Sequence, residues 1–339
     1  MTMLSRLLSH DLPRNRWLAV AVIAIVVALA LTPFIFPGTK ALNVAAKVIV
    51  FIVLAASFDL LLGYTGIVSF AHTMFFGIGA YGVAIAATRL GPTWPALAVG
   101  VAAALLTSLV LSLVIGLFSL RVRAIFFAMI TLAVASAFAT LASQLSDFTG
   151  GEDGLTFKVP LDSRLVTYYL IFAVALGLVL VLLRIVNSPF GRVLQAIREN
   201  DFRAEAIGYR TVVYRTIASV VSALFATLAG VLLALWLRYN GPDTTLSFEI
   251  MLDVLLIVVI GGMGTMYGAV LGSVLLVLAQ NYLQDLMKLA AGAVEGVPVL
   301  AQIVSPERWL LWLGLLFVLS VYYFPSGVVG RLRGLRRPA

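Results

Sequence analysis

The chain has 339 residues, of which 62% are hydrophobic and 11% are charged, and its net charge is +8. Such a chain has too little polar surface to cover a water-soluble body of this size, so its composition excludes an ordinary soluble protein. It contains no cysteine, which excludes disulfides, thiolate metal sites and thiol nucleophiles. The sequence contains no nucleic-acid-binding motif, and we expect no nucleic-acid partner. The net positive charge is explained by the excess of basic residues that membrane proteins carry on their cytoplasmic side.

Apolar runs of about 20 residues predict transmembrane helices. We therefore expect an all-α, polytopic membrane helix bundle with about ten transmembrane helices, in which residues 17–325 form one transmembrane domain. The eighth predicted span is short and glycines interrupt it, so that 249–287 can also be one bent unit. The ten predicted spans are 17–36, 42–62, 66–88, 94–119, 124–145, 165–185, 212–237, 249–263, 266–287 and 309–325.

The basic residues predict the orientation of the bundle. With a cytoplasmic N-terminal segment (1–16), the segments on the inner side contain 15 of the 23 basic residues, and the loop at 146–164 falls outside with a net negative charge. Ten spans then return the basic tail, 326–339, to the cytoplasm. The N-terminus also resembles a signal peptide, but its apolar run continues through Phe36, and we expect an uncleaved first span.

The stretch SFDLLLGYTGIVSFAHTMFFGIGAYGVAIA at 57–86 combines glycines with two ionisable residues in apolar surroundings. Gly63 and Gly66 permit a tight break between two spans, and Gly77 and Gly79 suit close helix packing. Asp59 and His72 are functional candidates, as intramembrane ionisable groups usually are. We expect Asp59 to brace the Gly63–Gly66 turn and His72 to form a helix–helix hydrogen bond, with a role in the transport pathway as the alternative for all six residues.

Residues 188–210, SPFGRVLQAIRENDFRAEAIGYR, here called the polar segment, combine both signs of charge with a short apolar stripe. Ser188 and Pro189 predict a capped helix start, Asn200-Asp201 predicts a break with a new cap, and Gly208 predicts a left-handed close. Glu199 and Arg203 are spaced for an ion pair. The apolar face consists of Phe190, Val193, Leu194 and Ile197. Mixed charge around such a face favours docking to a protein over a lipid surface, and a plain solvated connector is the alternative.

The block VVIGGMGTMYGAVLGSVLLVL at 258–278 places Gly264, Gly268 and Gly272 four residues apart. On one helix, these glycines would form a stripe that lets another helix approach closely, and packing is the expected role, with pathway lining as the alternative. Asp253 in the preceding span is a weaker ionisable candidate.

These blocks, together with YYFPSGVVG at 322–330, resemble permeases of the branched-chain amino acid ABC transporter family, LivM type, over about 50–330. The resemblance implies an ABC importer permease whose cytoplasmic coupling segment (186–211) docks on an ATPase, with Ala204-Glu205-Ala206-Ile207-Gly208 as a reduced form of the general importer signature. It implies three kinds of partner: two ABC ATPase subunits that carry ATP and Mg, a second, LivH-type permease, and a periplasmic solute-binding protein. It also implies that the chain lies in the lipid of the cell inner membrane with both termini in the cytoplasm. The implied coupling residues are Gly191, Arg192, Ala196, Ile197, Arg198, Glu199, Asp201, Glu205, Ala206 and Gly208.

The sequence contains no Gly-x-x-x-x-Gly-Lys-[Ser/Thr] motif, and none of its four lysines follows a glycine. It also contains no nucleophile elbow and no His-Glu-x-x-His motif, and we expect no enzymatic activity, no metal site and no cofactor on this chain. An autonomous secondary carrier or channel is the alternative, but it would need an ion site at the membrane midplane, where charge is scarce. A passive membrane scaffold is a third reading.

Overall fold

A computed structural model of the chain describes residues 16–36, 38–119, 124–161, 163–293, 305–323 and 327–334. Within these residues the chain is helical almost throughout, and nine helices are long and apolar enough to cross a membrane. The helices are α1 Arg16–Ile35, α2 Thr39–Thr65, α3 His72–Leu90, α4 Trp94–Ser119, α5 Ala124–Gln144, α6 Ser146–Thr149, α7 Arg164–Val186, α8 Pro189–Glu199, α9 Asp201–Ala206, α10 Thr211–Leu237, α11 Pro242–Thr245, α12 Phe248–Gly261, α13 Met266–Ala293, α14 Trp309–Tyr323 and α15 Gly327–Gly334. The chain is thus an all-α polytopic membrane protein, as its composition predicts.

The bundle is built around α2, of which nearly all residues in the membrane span are buried. Helix α10 packs against α2, α3 packs mainly against α10 and α4, and α3 and α10 are also largely buried. The backbones of α3 and α10 meet at Gly79 and Gly230, where an added Cβ would strike the backbone carbonyl groups of Thr227 and Phe76. By contrast, α1, α4, α5 and α7 bury few of their residues and present apolar side chains outwards, as helices in contact with lipid do.

The bundle has two distinct ends. At one end the strands β1 (Leu155–Thr156) and β2 (Tyr239–Asn240) pair antiparallel, which joins the loop after α5 to the loop after α10. We call this the strand end. At the other end the polar segment contacts two helix junctions, the α2–α3 junction around residues 63–71 and the α12–α13 junction at residues 262–265. This arrangement agrees with the predicted parity, in which 146–164 and the polar segment lie on opposite sides.

The structure corrects the predicted third span. Residues 66–71 are not helical, and α3 begins at His72 instead of residue 66. The reason is Gly66, which adopts a left-handed conformation (φ +73°) and donates its N–H to the carbonyl oxygen of Leu61, so that α2 ends there.

Residues 249–287 form two helices, and the single bent unit is wrong. Gly262 (φ +119°) and Gly264 (φ +78°) separate α12 from α13. The tenth predicted helix is present as α14, whose 15 described residues span about 22 Å. The predicted tail contains a short helix, α15, whose Gly327 packs on the backbone of Gly262.

Several predictions concern residues outside those that the structure describes. They are the N-terminal segment before Arg16, Asp162 in the outer loop, the basic positions 121 and 123, and residues 335–339 of the tail. The boundaries proposed for the domains stay predictions.

Candidate functional site

The polar segment folds as two short helices, α8 and α9, between two long spans. Pro189 occupies the first turn of α8, as predicted. The predicted side-chain cap is wrong, because the hydroxyl of Ser188 donates to the carbonyl oxygen of Ile185 (2.6 Å) instead of accepting from α8. Asn200 breaks the helix in an extended conformation and caps α9 by accepting from the backbone N–H of Arg203 (2.9 Å).

The apolar stripe attaches α8 to the bundle. Leu194 and Ile197 are fully buried, and Phe190 and Val193 are partly buried. Gly191 is buried against the backbone of Val186. A Cβ at this position would collide with the carbonyl oxygen of Val186. Two of the predicted coupling residues, Gly191 and Ile197, therefore face the interior of this chain and are not accessible to a partner.

The opposite face of the polar segment is open. Phe202 and Ile207 on this face are 86% and 70% exposed, although both are large apolar residues at a helix end rich in charge. Also exposed in the polar segment are the predicted coupling residues Arg192, Ala196, Arg198, Glu199, Glu205, Ala206 and Gly208. The prediction missed Phe202 and Ile207, but the sequence held a signal, since neither residue continues the apolar stripe of α8.

Ionic and polar contacts fix α9 against α10. Asp201 pairs with Arg215 (2.9 Å), and Glu205 accepts from the hydroxyl of Thr211 (2.7 Å). Gly208 has φ +100°, which confirms the predicted left-handed close. Glu199 and Arg203 lie on either side of the break at Asn200, so the predicted pair within one helix is wrong.

The guanidinium group of Arg198 connects the polar segment to the end of α2. Nη1 donates to the carbonyl oxygen of Gly63, in the last turn of that helix. The last carbonyl groups of a helix lack intrahelical partners and carry a partial negative charge, so a cation is stabilising there. The side chain of Arg198 also passes over Gly66 and Gly264, each of which has a positive φ.

Asp59 joins the two junctions from the inside of the bundle. It is 1% exposed, and its Oδ1 accepts from the backbone N–H of Gly264 (2.8 Å). Asp59 therefore braces the α12–α13 junction against α2, and its carboxylate also lies against Gly63 of the predicted turn. Gly63 is required here because a Cβ would overlap both Asp59 and the backbone of Gly264.

His72 lies deeper in the bundle and forms the helix–helix hydrogen bond that was expected. Its Nε2 lies 2.7 Å from the hydroxyl of Ser222 on α10, which in turn donates to the carbonyl oxygen of Ser57 on α2. Three helices are thereby connected at the first residue of α3.

The remaining predicted packing glycines lie at different helix contacts. Gly77 accommodates the side chain of Leu246. Gly268 and Gly272 on α13 face the backbone of α12, near Gly261 and Ile257. The expected three-residue stripe is wrong in one member, because Gly264 precedes α13 and belongs to the junction.

Asp253 on α12 is braced by α13. Its Oδ1 accepts from the amide nitrogen of Gln280 (2.7 Å), and Lys47 on α2 and Glu249 are the charged groups that act on it electrostatically. In the part of the chain that the structure describes, no three His, Asp or Glu side chains come together in a way that would hold a metal ion.

Comparison with known proteins assigns the chain to a family. Residues 40–321 match the model of the family described as "Branched-chain amino acid transport system / permease component". The chain is 26% identical over 299 residues to the high-affinity branched-chain amino acid transport system permease protein LivM of Salmonella typhimurium, covering 79% of this chain and 69% of that protein. It is 25% identical over 320 residues to LivM of Escherichia coli, covering 85% and 74%.

A probable LivM protein of Methanocaldococcus jannaschii is 30% identical over 148 residues, covering 43% of this chain and 41% of that protein. No solved structure matches the chain significantly. Because the family model spans more than half of the chain and the fold is a polytopic helix bundle, the chain belongs to the permease components of branched-chain amino acid transport systems.

Proposed function

We propose that this chain is the translocation subunit of an ATP-driven importer for branched-chain amino acids or related small polar solutes. The importer has two separate ATPase subunits, which carry ATP and Mg, and the polar segment of this chain docks on an ATPase. A second, LivH-type permease completes the pathway, and a periplasmic binding protein delivers the solute at the strand end. The chain resides in the inner membrane with the polar segment and both termini in the cytoplasm.

The observation that carries this proposal is the two-sided character of the polar segment. One face, with Leu194 and Ile197, is buried in the bundle, while the other exposes Phe202 and Ile207 among charged side chains. Two exposed apolar residues at the rim of a polar helix pair fit a protein groove, in which aromatic anchors provide most of the binding free energy.

The same geometry connects a movement of the polar segment to the transmembrane helices. A displacement of the polar segment acts directly on α7 and α10, which flank it in the chain. Through the Arg198 guanidinium it also acts on the end of α2, and through Gly264 on the α12–α13 junction. ATP binding provides the differential interaction free energy that any such shift between two states requires.

Co-purification of the chain with candidate ATPase subunits tests the proposal. Replacing Phe202 with Asp places a charge where an apolar anchor is expected, and we expect the affinity for the ATPase to fall at least about tenfold, equivalent to about 1.4 kcal/mol. Phe148→Asp is the matched control, because Phe148 is also exposed but lies in α6 at the strand end.

Unchanged ATPase binding by Phe202→Asp, with ATP-driven leucine uptake at the wild-type rate, would reject docking at this face. Uphill uptake by the isolated chain in vesicles, without any ATPase, would instead support the secondary carrier. ATPase binding thus tests the coupling site, and uptake by the isolated chain tests the class of transporter.

A further inference from the structure

Two spans of this bundle are interrupted within the membrane, and the interruptions face each other. Residues 66–71 precede α3 as non-helical chain, and α12 has only 14 residues and is preceded by β2 and the short helix α11. The aromatic ring of Phe70, in the first segment, and that of Phe248, the first residue of α12, have their centroids 6.1 Å apart.

One hydrogen bond and the lengths of two helices place this contact inside the hydrocarbon core of the membrane. The backbone N–H of Phe70 donates to the hydroxyl of Thr131 (3.0 Å), seven residues and about 10 Å from the start of α5. Phe248 is thirteen residues and about 20 Å from the end of α12 at Gly261. Since the hydrocarbon core is about 30 Å thick, both aromatic residues lie well inside it.

The non-helical stretch turns one side towards the outside of this chain. Ile67, Ser69 and Ala71 are at most 5% exposed, whereas Val68 and Phe70 are only partly buried, so that burial alternates along this stretch. Phe248 continues this strip and is 49% exposed.

Non-helical backbone is not found facing lipid at this depth, because its polar groups would lose their hydrogen bonds to water. It occurs where protein covers it or where it borders a water-filled cavity, and transporters bind their solutes at such interrupted helices near the midplane. A strip that is partly exposed in the single chain therefore borders a space that lipid does not fill.

We propose that Val68, Phe70 and Phe248 line the solute pathway and contact the aliphatic side chain of the passing amino acid. Two aromatic rings and a valine offer an apolar surface for such a side chain. The second permease closes the pathway from the opposite side. This inference rests on the proposed function and adds the residues that contact the solute.

Cysteine labelling tests this assignment, because the natural chain contains no cysteine. Phe248→Cys and Val68→Cys are made separately, and the assembled complex is treated with a small, membrane-impermeant methanethiosulfonate. Val110→Cys is the matched control, since Val110 is 58% exposed on α4 in the lipid-facing part of the bundle. Elution as an assembled complex in size-exclusion chromatography identifies variants that fold.

We expect the two pathway cysteines to react at least about tenfold faster than the control, because only the thiolate reacts and lipid suppresses its formation. Saturating leucine with the binding protein and ATP is expected to slow their labelling and to leave the control unchanged. Labelling at the rate of the control, or fast labelling that leucine does not change, would overturn the inference. Absence of ATP-driven leucine uptake by the wild-type complex would contradict the proposed function separately, while the labelling rates would still report whether the strip faces water.

Discussion

At the scale of single residues, the main feature is the connection between Arg198, Gly63, Gly264 and Asp59. Only one of the four, Arg198, belongs to the polar segment, and its charge is placed at the carbonyl end of α2. Asp59 adds a buried acceptor for the backbone of Gly264. The Arg198 side chain therefore contributes to the internal structure of the bundle as well as to any docking surface.

Arg198→Gln removes this charged hydrogen bond, and we expect the isolated chain to lose stability. Hydrogen bonds to charged groups contribute about 1.5–3 kcal/mol. The measurement is thermal unfolding of the purified chain in detergent, without any partner protein.

Arg203→Gln is the control for that experiment, because the Arg203 side chain is exposed on α9 and only its backbone N–H takes part in the cap. Its effect is expected to stay within about 0.5 kcal/mol, as for most surface substitutions. Equal unfolding temperatures for the two variants would show that the contact with Gly63 contributes nothing.

At the scale of helices, glycine determines how closely the central helices approach. At Gly79 the backbone of α3 meets the carbonyl group of Thr227 on α10, and there is no space for a Cβ. Gly177 on α7 is different, because nothing lies within 4 Å of the position that a Cβ would take.

We therefore expect Gly79→Ala and Gly177→Ala to have opposite effects on stability. Overpacking at Gly79 costs about 1–3 kcal/mol or more, since two backbones would have to separate. At Gly177 alanine is expected to stabilise the helix by up to about 1 kcal/mol, because glycine has the lower helix propensity. Thermal unfolding of both variants in the same detergent measures the difference, and destabilisation by both to the same extent would contradict the packing argument.

At the scale of the whole molecule, the two ends differ in structure and in charge. At the strand end, an acidic loop pairs with the residues after α10. At the opposite end, the polar segment contacts the α2–α3 and α12–α13 junctions. Which end faces the cytoplasm is a prediction from the distribution of basic residues.

Single cysteines at the two ends test that orientation in a chain that has none of its own. Glu152→Cys, at the strand end, is expected to react with an impermeant maleimide in intact spheroplasts. Gln195→Cys, exposed on α8, is expected to react only in inside-out vesicles. The reverse pattern would invert the topology and place the polar segment outside the cell.

Much of this architecture is readable from the sequence because long apolar runs leave few alternatives in a membrane. Every predicted span has a counterpart within a few residues, apart from the start of α3 and the end of α13, each of which differs by six residues, and the break and cap at Asn200 follow from local side-chain chemistry. The two-residue strands β1 and β2 were not predicted, since they are too short to have a periodic pattern.

Hydrophobicity, periodicity and capping act between neighbouring residues, so the membrane class, the order of the spans and the polar segment can be derived from the residues alone. The contacts of Asp59 with Gly264, of Arg198 with Gly63 and of Phe70 with Phe248 emerge only in the folded bundle. These contacts join residues between 135 and 205 positions apart in the chain. Such pairs depend on which helices pack together and at which depth, and no local pattern of residues specifies that.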